Sequence, residues 1–116
     1  MSIQRFRCGP RMSQAVVHNG TVFLAGQVAE DAPGADVAQQ TCNVLDRIDA
    51  LLAEVGTDKT KLLSATIWLS NMASFGAMNE VWDSWVAPGC EPARATVESR
   101  LASPEYAVEI AVVAAL

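Results

Sequence analysis

Tyr106-Ala107-Val108-Glu109-Ile110-Ala111-Val112-Val113-Ala114-Ala115 is the stretch on which the fold turns. It is strongly apolar, rich in β-branched residues, and carries one charge at Glu109, which reads as a strand. Val108, Ile110 and Val112 point to one side of that strand, and Ala111 and Val113 to the other. An antiparallel sheet open to water on one side should alternate apolar with polar residues instead. Thr21 to Ala25 repeats the anomaly, with Val22 and Leu24 opposed to Phe23 and Ala25.

Upstream, the chain alternates strand and helix signals. Residues 3–7 read as a short first strand. Ser13 to His18 and Thr21 to Ala25 form a hairpin about Asn19-Gly20, a strong two-residue turn signal that also puts His18 at a turn edge on the surface. Asp36 to Val55 is a helix, because Val37, Thr41, Val44, Leu45, Ile48, Leu51, Leu52 and Val55 recur at three- and four-residue steps. Asp36 with Gln39 resembles a capping box, and Gly56 is placed as the C-terminal stop. Leu62 to Leu69 follows as a strand. Met72 to Trp85 is a second helix, with Phe75, Met78, Trp82 and Trp85 on one side as core. Ala93 to Glu98 alternates cleanly, with Ala93, Ala95 and Val97 facing away from Arg94, Thr96 and Glu98.

The order is β-β-β-α-β-α-β-β, an α+β chain of 116 residues expected to be one domain over 1–116. Two helices cover only one face of a six-stranded sheet. The second apolar face needs a cover this chain does not supply, and copies of the chain itself are the economical answer. A homo-oligomer with sites at its seams is expected.

Composition narrows the function. At 51% hydrophobic residues the chain is too apolar for disorder, and no apolar run approaches the length of a membrane span. With no apolar leader after Met1, a cytoplasmic location is expected. The net charge of −5, with scattered basic residues, argues against nucleic acid as a partner. Cys8, Cys42 and Cys90 are far apart and form no CxxC or Cys/His cluster, so no metal site is expected, and the thiols are expected to be buried and inert.

Two charges sit in surroundings that do not suit them. Glu109 lies in the most apolar strand, where a carboxylate is costly unless paired or protonated. Arg94 sits on a strand between small neighbours, a ready bidentate partner for a carboxylate. Either the two form a structural ion pair with each other, or Arg94 holds a substrate carboxylate while Glu109 handles a proton or a water. Gly26, with Gln27, ends a strand where a ligand could approach the backbone or the chain simply terminates. Thr96 shares Arg94's face, as does Glu98, which reads as solvated. Taken alone, Arg11 reads as a surface charge and Asn79 as an exposed helix position.

Gly9-Pro10, the hairpin ending Ala25-Gly26-Gln27, Ser64-Ala65-Thr66-Ile67-Trp68-Leu69, a helix with Asn79, Pro92-Ala93-Arg94-Ala95-Thr96-Val97-Glu98 and Val108-Glu109-Ile110 follow one another in an order that resembles the Rid family of RidA/YjgF-like reactive-intermediate deaminases. The resemblance spans essentially the whole chain, and Pro-Ala-Arg-x-x-Val-Glu with the later Glu is its most specific part. It implies a chorismate-mutase-like α+β fold with a mixed six-stranded sheet, two helices on one face, a homotrimer with clefts between subunits, and no cofactor or metal. It also implies a hydrolase acting on C–N bonds, of the 2-iminobutanoate/2-iminopropanoate deaminase type, which converts enamines and imines to 2-oxo acids and ammonia. Arg94 would then clamp the substrate carboxylate and Glu109 would orient water or supply a proton. The Gly26 and Thr96 backbones would line the cleft, and Asn79 would hold its wall. Where many relatives have Tyr this chain has Arg11, which would favour a substrate with a second acidic group, as in a specialised pathway deaminase. Where many have Cys it has Thr96, which removes thiol chemistry there. A trimer that only binds small carboxylates, as a sensor or regulator, is the competing expectation.

Overall fold

The structure is a computed structural model and describes residues 2–116. Its strands are β1 Gln4–Phe6, β2 Ala15–His18, β3 Thr21–Leu24, β4 Gln27–Val28, β5 Leu62–Leu69, β6 Ala93–Glu98 and β7 Val108–Ala115, and its helices are α1 Val37–Val55 and α2 Phe75–Trp85. They form one mixed sheet in the order β1-β2-β3-β7-β5-β6, with the short β4 also paired to β7. All pairings are antiparallel except β5 with β6, whose parallel register puts α2 on the crossover between them.

The local signals work as chemistry requires. The β2–β3 turn has positive φ at both Asn19 (52°) and Gly20 (75°), the geometry that an Asn-Gly pair tolerates. Asp36 accepts a hydrogen bond from the Gln39 amide at 2.8 Å and opens α1. Gly56, at φ 91°, closes α1 by donating to the carbonyls of Ala53 and Leu52. The α1 stripe from Thr41 to Leu52 is buried against the sheet, where it meets Val22, Leu24, Ile67, Val108, Ile110 and Val112.

Four details depart from the sequence reading. The sheet has a seventh strand, because Gln27–Val28 pairs with Ile110 and Glu109 after a break at Ala25–Gly26. The second helix begins with a 3-10 turn, Met72–Ser74, whose first amide donates to Glu98 Oε1 at 2.8 Å, so Glu98 caps this turn and is more than a solvated charge. The last strand starts at Val108, since Tyr106 still belongs to the loop. Cys8 and Cys42 are exposed and Cys90 is half-buried, which corrects the expectation of buried thiols: Cys42 lies on the outer side of α1 and Cys8 in the loop after β1.

Gln40, on α1, is the polar residue that ties this layout together. Its side chain is 1% exposed; Nε2 donates to the carbonyls of Ala35 and Glu105, each at 2.9 Å, and Oε1 accepts from the Ala107 amide at 2.7 Å. It therefore fixes the chain just before β7 and, with it, the start of the strand that carries Glu109. Gln40→Leu fills similar space but strips the Ala107 amide and the Ala35 carbonyl of their partners, while the Glu105 carbonyl keeps the Gly34 amide. The variant should lose about 2–6 kcal/mol, at about 1–3 kcal/mol for each of the two orphaned groups. Urea denaturation of the two proteins measures the loss, and an unchanged midpoint would remove Gln40 from this role.

Candidate functional site

The period-two alternation of β7 decides where Glu109 goes. Val108, Ile110, Val112 and Ala114 are buried beneath the helices, so Glu109, Ala111, Val113 and Ala115 lie on the opposite face. That face has an apolar centre: Phe23 (48% exposed), Val16, Trp68 and Val97 share it by register with Val113, Ala111 and Glu109, and Thr66, Ser64, Arg5 and His18 are among its polar members. The uncovered face inferred from sequence is present on this chain.

Arg94 goes the other way. It pairs in register with buried Ala65, which places its side chain on the helix-covered side of β6. There Nη1 donates to Asn79 Oδ1 of α2 at 2.8 Å. The guanidinium lies 5.3 Å from the Trp82 ring centroid and 5.8 Å from that of Phe75. This stacking is worth about 0.5–2 kcal/mol and holds a planar cation in one orientation at the sheet edge. Among the described residues no carboxylate lies within 4.0 Å of it. Arg94 and Glu109 thus face opposite sides of one sheet, and the structural ion pair between them does not form within a chain.

Each residue has its own companions. Glu109 folds over Gly26: a Cβ at Gly26 would collide with Glu109 Oε2 and lie 3.0 Å from its Cδ, so a side chain here would push the carboxylate out of this position. The segment is held by the Ala25 amide, which donates to the Gln14 carbonyl at 2.9 Å. The loop from Arg7 to Gln14 therefore borders Gly26, and Arg11 is exposed on it. Thr96 shares Arg94's face, and its buried Oγ1 has no hydrogen-bond partner among the described residues. The structure thus brings Gly26 to Glu109, and Asn79 to Arg94 with Thr96 beside them on β6; it does not bring the two groups together. A concavity of about 780 Å³ lies by Ser70, Arg100 and Tyr106, and neither Arg94 nor Glu109 lines it. Sequence reasoning read Phe75 and Trp82 only as core. Trp82 is core and platform at once, a dual use that a helical stripe cannot display.

Burial pushes the Glu109 carboxyl above its ordinary value of 4.5. The folded chain disfavours the ionised form, so Glu109's contribution to stability is complete below 4.5 and is lost as pH rises through the shifted value. Glu109→Gln should therefore melt a few degrees above the parent at about pH 7, with the gap closing at about pH 4. Thermal melts at the two pH values measure it, and a gap independent of pH would contradict the shift.

Comparison with known proteins agrees with this architecture. The family model described as endoribonuclease L-PSP matches residues 3–116. A RutC family protein of Haemophilus ducreyi is 46% identical over 114 residues, covering 98% of this chain and 97% of that protein. The RutC family protein YoaB of Escherichia coli is 44% identical over 116 residues, the full length of both. The crystal structure of a YjgF-family protein from Neisseria meningitidis superimposes with a TM-score of 0.95 at 50% identity, covering 99% of this chain and 95% of that one. With this sheet, these two helices and these relatives, the chain belongs to the Rid (YjgF/RutC) family and has its chorismate-mutase-like fold.

Proposed function

We propose that this protein hydrolyses small enamines and imines that bear a carboxylate, of the 2-aminoacrylate and 2-iminobutyrate type, to 2-oxo acids and ammonia. The sites are seams between copies in a homotrimer, where the Arg94 group of one subunit meets the Glu109 group of the next. One observation carries the reading: the two charged groups stand on opposite faces of one sheet, each organised and neither satisfied by the other. Covering the apolar face with a second copy supplies the missing half.

The chemistry follows from the parts. Arg94, oriented by Asn79 and the two rings, presents its remaining N–H groups to the substrate carboxylate as a fork. Holding the substrate this way converts water attack into an oriented step. Glu109 takes a proton from the attacking water as oxygen bonds to the imine carbon and the C=N pair moves to nitrogen. It returns that proton to the nitrogen to complete the carbinolamine. It then takes the hydroxyl proton as the C=O bond forms and passes it to the same nitrogen as the C–N bond breaks, so ammonia leaves with both of the water's protons. A carboxyl raised above its ordinary range is suited to both directions of transfer. Thr96 Oγ1, on Arg94's face, leaves a hydroxyl with hydrogen-bonding capacity near the edge of the cleft. The endoribonuclease description of the family model draws no support from a chain of net charge −5.

The test couples a serine/threonine dehydratase, as the source of imine, to semicarbazide capture. The parent should shorten the imine lifetime. Arg94→Ala and Glu109→Gln should each lose about 10²–10⁴-fold. Co-expressing the two inactive variants should restore about a quarter of the activity, because random mixing leaves that share of seams with both groups intact. Inactivity of the parent overturns the imine reading, and active parent with no recovery on mixing overturns the shared seam.

A further inference from the structure

On the helix-covered side, away from both charged groups of the seam, a pocket of about 160 Å³ lies between α1 and the loop that joins β1 to β2. Its lining is Arg7, Gln14, Gln27, Arg47, Ala50 and Leu51, two guanidinium groups and two amides with no carboxylate among them. Gln27 forms the floor at 2% exposure.

The hydrogen bonds there leave donors facing the pocket. Gln27 Nε2 donates to Gln14 Oε1 at 2.8 Å and to the Ala25 carbonyl at 3.1 Å, which fixes the orientation of both amides. Gln27 Oε1 accepts from Arg47 Nε at 3.3 Å. Both amide oxygens are thus occupied, whereas among the described residues the Gln14 NH₂ donates no hydrogen bond and the Arg47 Nη groups make only long ionic contacts. Arg47 meets only rim carboxylates, Glu30 at 3.5 Å and Asp31 at 3.6 Å, longer than the 2.7–2.9 Å typical of a charge-assisted bond. Both rim side chains are more than half exposed, so these contacts are screened by water. Arg7 pairs with Glu54, as close as 2.8 Å, which orients the guanidinium at the mouth and offsets part of its charge, leaving Arg47 as the main cation of the pocket.

We propose that this pocket binds a small oxyanion, a carboxylate or phosphate, seated against Arg47 and the Gln14 amide with Arg7 at its entrance. At about 30 Å³ per water it holds roughly five waters' worth of liquid, the scale of an anion of a few heavy atoms. Such an anion exchanges Arg47's long contacts for short ones. The same network carries its presence to the sheet: Arg47 holds Gln27, Gln27 holds the Ala25 carbonyl, and Gly26, the residue under Glu109, lies between them in the chain. Neither the pocket nor the link depends on imine turnover.

Nuclear magnetic resonance on the full ¹⁵N-labelled chain tests it, with pyruvate and inorganic phosphate as probes and sodium chloride at matched ionic strength as control. Saturable shifts of the Gln14 and Gln27 side-chain amides, together with the Gly26 backbone amide, are expected from at least one probe. Which probe saturates distinguishes a planar from a tetrahedral ligand. Arg47→Gln should weaken binding about tenfold or more, whereas Arg94→Ala should leave it unchanged, which separates this pocket from the seam. If Arg47→Gln loses its folded spectrum, Arg7→Gln at the exposed entrance takes its place. Shifts that follow chloride, or that persist unweakened in the folded arginine variant, overturn the site. Saturation at the glutamines with an unmoved Gly26 overturns the link.

Discussion

Strand β7 cannot send all its side chains to one side. Burying Val108, Ile110, Val112 and Ala114 beneath α1 commits Glu109, Ala111, Val113 and Ala115 to the opposite face. Because β7 lies between β3 with β4 on one side and β5 on the other, its alternation sets the register for the whole sheet. With both helices on one side, the other face keeps Phe23 and Val97 in water, a surface that lowers its free energy by acquiring a cover. The carboxylate sits in the middle of that surface, so a partner on this face would remove water from Glu109 as well as from the apolar residues.

Much of this was legible in the sequence because it rests on short-range periodicity. The α1 stripe, its Asp36 and Gly56 ends, the Asn19-Gly20 turn and the alternation of Ala93 to Glu98 are each fixed by residues within a few positions of one another. What was not legible depends on register between distant segments. Arg94 and Glu109 land on opposite faces because β5 pairs in parallel with β6 and antiparallel with β7, aligning Ala65 with Arg94 and Trp68 with Glu109. No spacing along the chain contains that information. The same holds for Gln40, which looks like an ordinary helix glutamine until the loop before β7 arrives to meet it. Strand β4 was hidden for another reason: two residues have no detectable period, and only β7 defines them as a strand.

The two charged groups are made rigid by different means. Arg94 is held by α2, whose Met78 and Trp82 anchor it in the core while Asn79 and Phe75 reach the guanidinium from the same short helix. Its placement is therefore only as firm as the packing of Met78 and Trp82. Glu109 is instead placed by backbone. The strand supplies its direction, and the missing side chain at Gly26 supplies its space. A site divided in this way separates the demands on the two segments: β6 and α2 present a cation without having to tolerate a nearby carboxylate, and β7 carries a partly desolvated acid without a neighbouring cation to lower its pKa.

That separation has a consequence for how activity relates to assembly. In the proposed seam, a lone subunit holds both groups but points them apart, so it has neither a closed cleft nor a complete set of partners for a substrate. Association would bring the carboxylate-binding fork to the acid in the same step that dries the apolar face, and drying strengthens the electrostatic contacts inside. Gly26 stands at the junction of this arrangement. On one side of it lies the Glu109 carboxylate, and next to it in the chain Gln27 turns down through the sheet to Gln14 and Arg47. A displacement of Gln27 would therefore be passed to the one residue whose lack of a side chain makes room for the acid.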